Sequence, residues 1–301
     1  MREFLRLSNV TSARMFLERV SPVLERDEEK YALPLGVGLR HYSSPEANQQ
    51  DLLCALVETA SGETRAAALR TAPHYLIVWS DPVSEPALEI LADSLSSRGT
   101  ALPGVTGPAD ASACFAGFWC ARAGVEARLE TRQQAYALRT LNPVRVPDGA
   151  LRKARPIHAP LILCWINAMI LETGSANQSP WTSEDVSVLI RSESAYLWFS
   201  PEGPAAMAYF NRPTRHSVAI SGVFTPPEKR GNGFATALVA GMCARALNAG
   251  REIVTLFTDA ANPISNAVYR RVGFHPVCVY HQYRFLSNQS ALAESSDSAR
   301  K

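Results

Sequence analysis

The 301-residue sequence is short of charge. Only 19% of its residues are Asp, Glu, Lys or Arg, and 30 Lys+Arg against 28 Asp+Glu leave a net charge of +2. That balance gives no basic field able to hold nucleic acid by charge alone, so no nucleic-acid partner is expected. Long apolar runs are missing too. The longest, Ala159 to Leu171, includes Pro160 and Asn167 and is shorter than the ~18 residues a membrane span needs, so no membrane partner is expected. No apolar run of signal length follows Met1-Arg2-Glu3-Phe4. The six cysteines (Cys54, Cys114, Cys120, Cys164, Cys243, Cys278) form no C-x-x-C pair, which reads as buried, reduced thiols in the cytoplasm. The six histidines make neither H-x-H nor H-E-x-x-H, so no metal is expected. What is present is a 47% hydrophobic composition, ample for a packed core, in a length that suits about two domains.

Periodicity gives the order of elements. Thr11 or Ser12 can cap a helix carrying Met15, Phe16, Val20 and Leu24, interrupted near Pro22. Leu52–Thr59 and Arg65–Thr71 read as a hairpin turning at Ser61-Gly62, and Tyr75–Trp79 as a short buried strand. Ser84 caps a helix to about Arg98. A short strand near Gly104-Val105, a helix Ala109–Ala123 and a strand or hairpin Val125–Leu138 follow. Turn formers fill Asn142 to Gly149 and Gly174 to Pro180. Beyond them come strands at Tyr196–Phe199, Ala205–Phe210 and Ser217–Phe224, then a helix Asn232–Asn248 stopped by Gly250. A strand Glu252–Phe257, a helix Pro263–Val272 and a strand His275–Phe285 complete the order. Both halves run strands, helix, strand, helix, strand, which suggests duplication of one α/β unit. The aromatics Trp165, Trp181, Tyr196 and Trp198 suit packing within or between halves, or the wall of an apolar acceptor pocket.

Chemistry concentrates in Val223-Phe224-Thr225-Pro226-Pro227-Glu228-Lys229-Arg230-Gly231-Asn232-Gly233-Phe234-Ala235-Thr236. A strand runs into a two-glycine loop that opens directly into a helix. The first turn of a helix leaves N–H groups without intrahelical partners, at the positive end of its dipole. Gly231 and Gly233 allow close backbone approach and Arg230 adds positive charge, which together make a pyrophosphate cradle; a plain helix start would use the same glycines. Downstream, Asn262 can cap a helix begun by Pro263, and Ser265 and Tyr269 share a face of it. Tyr269 can be core packing, or can turn its hydroxyl to a ligand between the two helices. Residues 1–150 carry no comparable loop, and Pro103-Gly104-Val105-Thr106-Gly107-Pro108, without a basic residue, reads as a turn.

Arg230-x-x-Gly233-x-Ala235 resembles the R/Q-x-x-G-x-G/A signature of the GNAT superfamily of acyl-CoA N-acyltransferases. Asn262…Tyr269…Gly273-Phe274 is similar to that family's second signature. The resemblance covers about Ala195 to Phe285, and the first half resembles the extra half of two-half bacterial members, in which one half has lost the cofactor loop. It implies an α/β GNAT fold, a mixed sheet flanked by helices, in tandem. Residues 1–150 would be a degenerate GNAT-like half, 151–290 the catalytic N-acetyltransferase domain, and 291–301 a flexible tail. It implies acetyl-CoA as acyl donor, held by Val223, Phe224 and Thr225 along the pantetheine arm. Arg230, Gly231, Asn232, Gly233, Phe234, Ala235 and Thr236 would hold the pyrophosphate, and Asn262 and Asn266 the pantetheine or adenosine side. Tyr269 would protonate the leaving thiolate when a small-molecule or peptide amine attacks the thioester. A backbone amide near Val223 would stabilise the developing oxyanion. The general base is open among Asp259, Glu172, Glu202 and His216, each equally readable as a solvated surface group. A non-catalytic acyl-CoA-binding module, or transfer of another acyl group, is the alternative. The first half is expected to act as a partner that buries apolar surface against the active half.

Overall fold

Alternating and helical apolar spacing resolves into twelve strands and eight helices among the described residues 4–8, 10, 12–43, 52–174 and 179–287 of a computed structural model. Thr11 and the 291–301 tail lie outside the described residues. The chain runs twice through one succession: strand, two helices, three strands, helix, strand, helix, strand. The first pass is β1 (Leu5–Ser8), α1 (Ala13–Leu24), α2 (Glu28–Ser43), β2 (Leu52–Thr59), β3 (Thr64–Thr71), β4 (Leu76–Trp79), α3 (Glu85–Ser97), β5 (Gly104–Pro108), α4 (Ala109–Ala123) and β6 (Val125–Leu138). The second is β7 (Ala150–Lys153), α5 (Ala159–Thr173), α6 (Ser183–Arg191), β8 (Ala195–Ser200), β9 (Gly203–Asn211), β10 (Ser217–Phe224), α7 (Phe234–Asn248), β11 (Ile253–Asp259), α8 (Pro263–Val272) and β12 (His275–Ser287).

Two compact units result. One comprises the chain up to Gln134, Asp259–Ala261 and the chain from Cys278; the other comprises Ala135–Thr258 and Asn262–Val277. The division falls inside β6, and the end of β12 returns to the first unit. Composition does not change within a strand, so nothing in the sequence marks that point.

In the first unit β1 to β5 lie side by side in order, and Tyr280–Arg284 of β12 pairs antiparallel with Pro108–Gly104 of β5. Leu88, Leu91, Leu95, Phe115 and Trp119 from α3 and α4 bury one face. Residues 104–108 are therefore a strand, as expected near Gly104-Val105, and the reading of Pro103 to Pro108 as a turn does not hold. Gly107 sits there because its neighbour is close: an added Cβ would lie 2.2 Å from Val78 O. Helix α1 is capped by Ser12, whose Oγ accepts from Met15 N at 3.2 Å, and it continues through Pro22 to Leu24.

The second unit orders β7-β8-β9-β10-β11, with β10 and β11 parallel and the other neighbours antiparallel. Leu238, Val239, Met242 and Cys243 of α7 meet Ile220, Val254 and Leu256 on one side of this sheet. Ile162, Trp165, Ile166 and Ile170 of α5 meet Leu197, Met207 and Phe224 in a second cluster. The apolar run Ala159–Leu171 is thus the helix α5. With the preceding turn it makes an 18-residue segment, Pro156–Thr173, long and apolar enough by length and composition to cross a membrane. Of the six cysteines only Cys243 is buried; Cys164 is exposed and the rest are intermediate, contrary to the expectation of uniformly buried thiols.

Candidate functional site

The second unit opens its sheet at one place. Strands β10 and β11 are in parallel register only from Ser217–Ala219 against Ile253–Thr255, and beyond that the rest of β10, to Phe224, and of β11, to Asp259, is unpaired between them. On its other edge β10 pairs with β9 up to Ser221↔Tyr209 and resumes at Phe224↔Met207. Gly222 and Val223 therefore fall out of register in a bulge, which bends the strand and takes their amides off the ladder. Gly222 has φ +64, and an added Cβ would meet the Tyr209 ring at 2.2 Å, so the bulge needs glycine at this position. Thr255, the last residue of β11 paired with β10, and Thr225, just past β10, each bury a hydroxyl without a hydrogen-bond partner. Buried polar groups are normally satisfied, so two orphaned hydroxyls at the mouth of a splay fit a polar ligand between the strands.

The loop after β10 makes a short 3-10 turn, Pro227–Lys229, and enters α7 through Gly231 (φ +82) and Gly233 (φ +77), the N-cap. Ala237 N–H, bonded to Gly233 O at 3.0 Å, closes the first helical turn, so the amides of Phe234, Ala235 and Thr236 have no acceptor in the helix. Open space surrounds Gly231. The loop residues face solvent while Thr236 is buried. The Asn232 amide turns back to Lys229 O and Arg230 O, both at 3.2 Å, and stabilises the loop.

The Arg230 charge, expected to serve the cradle, is engaged within the protein. Its Nη2 donates to both carboxylate oxygens of Glu172, at 2.7 and 2.9 Å, its Nε donates to Thr225 O at 2.9 Å, and the guanidinium lies over the Phe224 ring at 5.8 Å. Glu172, weighed as a base, is thus committed to an ion pair. Glu202 stands 4.0 Å from Lys229. Asp259 accepts from Ala261 N at 2.8 Å, and His216 O accepts from Glu252 N and Ile253 N.

Helix α8 follows the expected start: Asn262 Oδ1 accepts from Ser265 N at 3.1 Å, with Pro263 in the first turn. The Asn266 amide donates to Asn262 O at 2.7 Å, so both asparagines hold the helix start. Tyr269 is 6% exposed, its ring 6.1 Å from Tyr136 and 5.9 Å from Phe274. Burial pushes its phenol well above the ordinary tyrosine value. Tyr136, almost wholly buried, carries a further hydroxyl without a partner. Trp165 and Trp198 are core, and Trp181 packs on Tyr209 at 5.6 Å.

The matching place in the first unit differs in its backbone approach, although Thr106, the last residue of β5 paired with β4, also buries a hydroxyl without a partner. β4 and β5 pair at Leu76↔Val105 and Ile77↔Thr106, and Gly107 keeps them in contact at Val78. At the start of α3 the Ser84 amide donates to Ser80 Oγ at 2.9 Å, and Ser80 Oγ donates in turn to Arg65 O at 2.6 Å. Ser80 Oγ thus satisfies the N-cap amide of α3, and Pro86 in its first turn leaves that helix one N–H fewer to offer than α7.

Sequence reasoning missed Gly222, whose signal was a lone glycine inside a strand. It also missed the Glu172–Arg230 pair, 58 residues apart, which has no local signal.

No curated protein sequence matches the chain. Among solved structures it is similar to a GCN5-related N-acetyltransferase from Sphaerobacter thermophilus (16% identity, TM-score 0.58, covering 93% of this chain and 95% of that one). It is also similar to a GNAT-family acetyltransferase from Colwellia psychrerythraea (11%, 0.57, 94% and 99%). A third is the tandem GNAT protein from the clavulanic acid biosynthesis pathway (12%, 0.57, 93% and 97%). These likenesses give the fold, a GNAT α/β sheet flanked by helices, in tandem. Residues 166–274, within the second unit, match the family model described as the acetyltransferase (GNAT) family.

Proposed function

We propose that the second unit binds acetyl-CoA and transfers its acetyl group to an amine. The observation that carries this is the splay of β10 from β11 beside a helix start with open amides. The unpaired edge of β10 at Val223, Phe224 and Thr225 offers backbone groups to an extended amide-bearing arm. The loop from Arg230 to Thr236 offers N–H groups and the positive end of α7 to a pyrophosphate. Thr225 Oγ1, buried and without a partner, gains one when such an arm lies alongside. Asn262 and Asn266 fix the start of α8 on the far side.

Acetyl-CoA supplies an acyl carbon activated as a thioester. The protein's share is placement and proton handling. The bulge at Gly222–Val223 leaves amides off the ladder, able to donate to a developing oxyanion. Tyr269, raised in pKa by burial, stays protonated through neutral pH and holds a proton for a thiolate leaving group. The amine loses its proton to water or a water-linked base, since each carboxylate weighed for that role has a partner. The test is incubation of the purified chain with acetyl-CoA and a panel of small and peptide amines, scored for free CoA thiol. Acetyl-CoA raises the melting temperature, by mass action on the folded state, and one amine class releases thiol. A thermal shift without thiol release from any amine would leave an acyl-CoA-binding module instead of an enzyme.

A further inference from the structure

We propose that Glu172 is a positioning residue for the cofactor loop, acting through Arg230; the inference rests on the acetyl-CoA reading of the second unit. Arg230 is the only charged side chain within the R-x-x-G-x-A stretch, and the direct reading of such a residue is an electrostatic contact to phosphate. The structure spends its guanidinium otherwise. Nη2 is shared between the two Glu172 oxygens, Nε is fixed by Thr225 O, and one face of the group lies on Phe224. Thr225 and Phe224 close the unpaired end of β10, while Glu172 belongs to the last turn of α5. The guanidinium thus ties the strand end and the C-terminal end of α5 to the residue that precedes Gly231.

That placement answers a physical need. Gly231 and Gly233 sit at positive φ with open space around Gly231, so the loop has little side-chain packing of its own to hold its amides in one arrangement. An anion site made of backbone N–H groups binds well only when those groups are already aligned, because ordering a glycine loop on binding costs conformational entropy. A charge-assisted bridge to a helix end supplies the alignment without occupying the amides. The pair is about half exposed (49% and 44%), so it adds little to global stability. Its effect falls on affinity.

The two readings predict opposite signs. If Arg230 contacts phosphate directly, removing Glu172 frees the guanidinium and tightens binding. If Glu172 positions the loop, removing it loosens the loop and weakens binding. Acetyl-CoA is titrated into the full-length wild type, Glu172→Ala, Glu172→Gln, Arg230→Ala and the double alanine variant, with the melting temperature of each free protein recorded alongside. Glu172→Ala weakens binding about tenfold, the size of coupling expected between groups in one hydrogen-bonded network. The Gln variant, which keeps an acceptor for Nη2, recovers part of the loss, and the double variant binds no worse than the weaker single one. Melting temperatures stay close to wild type, so a purely structural role would show no affinity change. Equal or tighter binding by Glu172→Ala, or additive losses in the double variant, overturns the inference while leaving the acetyl-CoA reading intact. Absence of binding by the wild type instead takes down that reading and the inference with it.

Discussion

Tyr269 carries the sharpest test among single residues, because one oxygen separates its two readings. Its ring packs between Tyr136 and Phe274 whether or not its hydroxyl takes part in chemistry. Tyr269→Phe keeps that packing, so folding and acetyl-CoA affinity stay near wild type while kcat falls about 10²-fold, the range for loss of a general acid. Since burial raises the phenol pKa, the alkaline limb of the wild-type rate profile lies above the ordinary tyrosine value of about 10 and is absent from the Phe variant. Equal kcat in the two proteins would make Tyr269 a core residue. Gly222 gives a second residue-scale test, this one of structure. Alanine there takes φ +64 and places Cβ against the Tyr209 ring. Backbone strain and overpacking together cost about 2–4 kcal/mol, read as a lower urea midpoint with an unchanged slope. A shift within error of zero would mean that the bulge does not depend on glycine.

At the scale of elements the asparagines of α8 are the instructive case. The family resemblance places Asn262 against the ligand, whereas its Oδ1 accepts from Ser265 N and caps the helix. Asn262→Ala loses about 1 kcal/mol of stability as a cap is removed. Asn262→Ser, which can cap, restores both stability and acetyl-CoA affinity; restored stability with affinity still low would instead show a direct contact by the amide. The starts of α7 and α8 were legible because glycines, a capping side chain and a proline sit at fixed offsets from a helix start, and those signals are local. Helix α5 was not, because its run Ala-Pro-Leu-Ile-Leu-Cys-Trp-Ile is apolar on nearly every side and shows no 3.6-residue period. Helix α6 carries a local signal in its sequence: Thr182 and Asp185 form a capping box, with Thr182 N donating to Asp185 Oδ2 at 2.8 Å. The splay is illegible for another reason. It consists of pairing that stops after Ala219, and a sequence pattern records which strands form, not where two of them part company.

The whole molecule is divided in a way that its two-fold succession of elements conceals. The last strand leaves α8 of the second unit, and from Cys278 onward it belongs to the first. There it is well anchored: five residues pair with β5, Gln134 donates to Cys278 O at 3.0 Å, Tyr280 donates to Lys30 O at 2.7 Å, and Phe285 stacks on Trp119 at 6.0 Å. Tyr280 is fully buried, so this strand is part of the first unit's core and not an appendage to it. A chain stopped after Val277 therefore strips the first unit of a strand whose gene segment lies at the opposite end of the sequence. β5 is left with an unpaired edge, Trp119 keeps Phe115 but loses Phe285 as a stacking partner, and the Lys30 carbonyl loses its donor. The expected result is fast hydrogen exchange throughout β5 and a lower first unfolding transition, although residues 4–134 are all present. A separately supplied peptide spanning 278–287 should restore part of the β5 protection, since an exposed strand edge is a ready template for pairing. Unchanged protection of the amides from Gly104 to Thr106 in the truncated chain would show that the first unit folds without its borrowed strand.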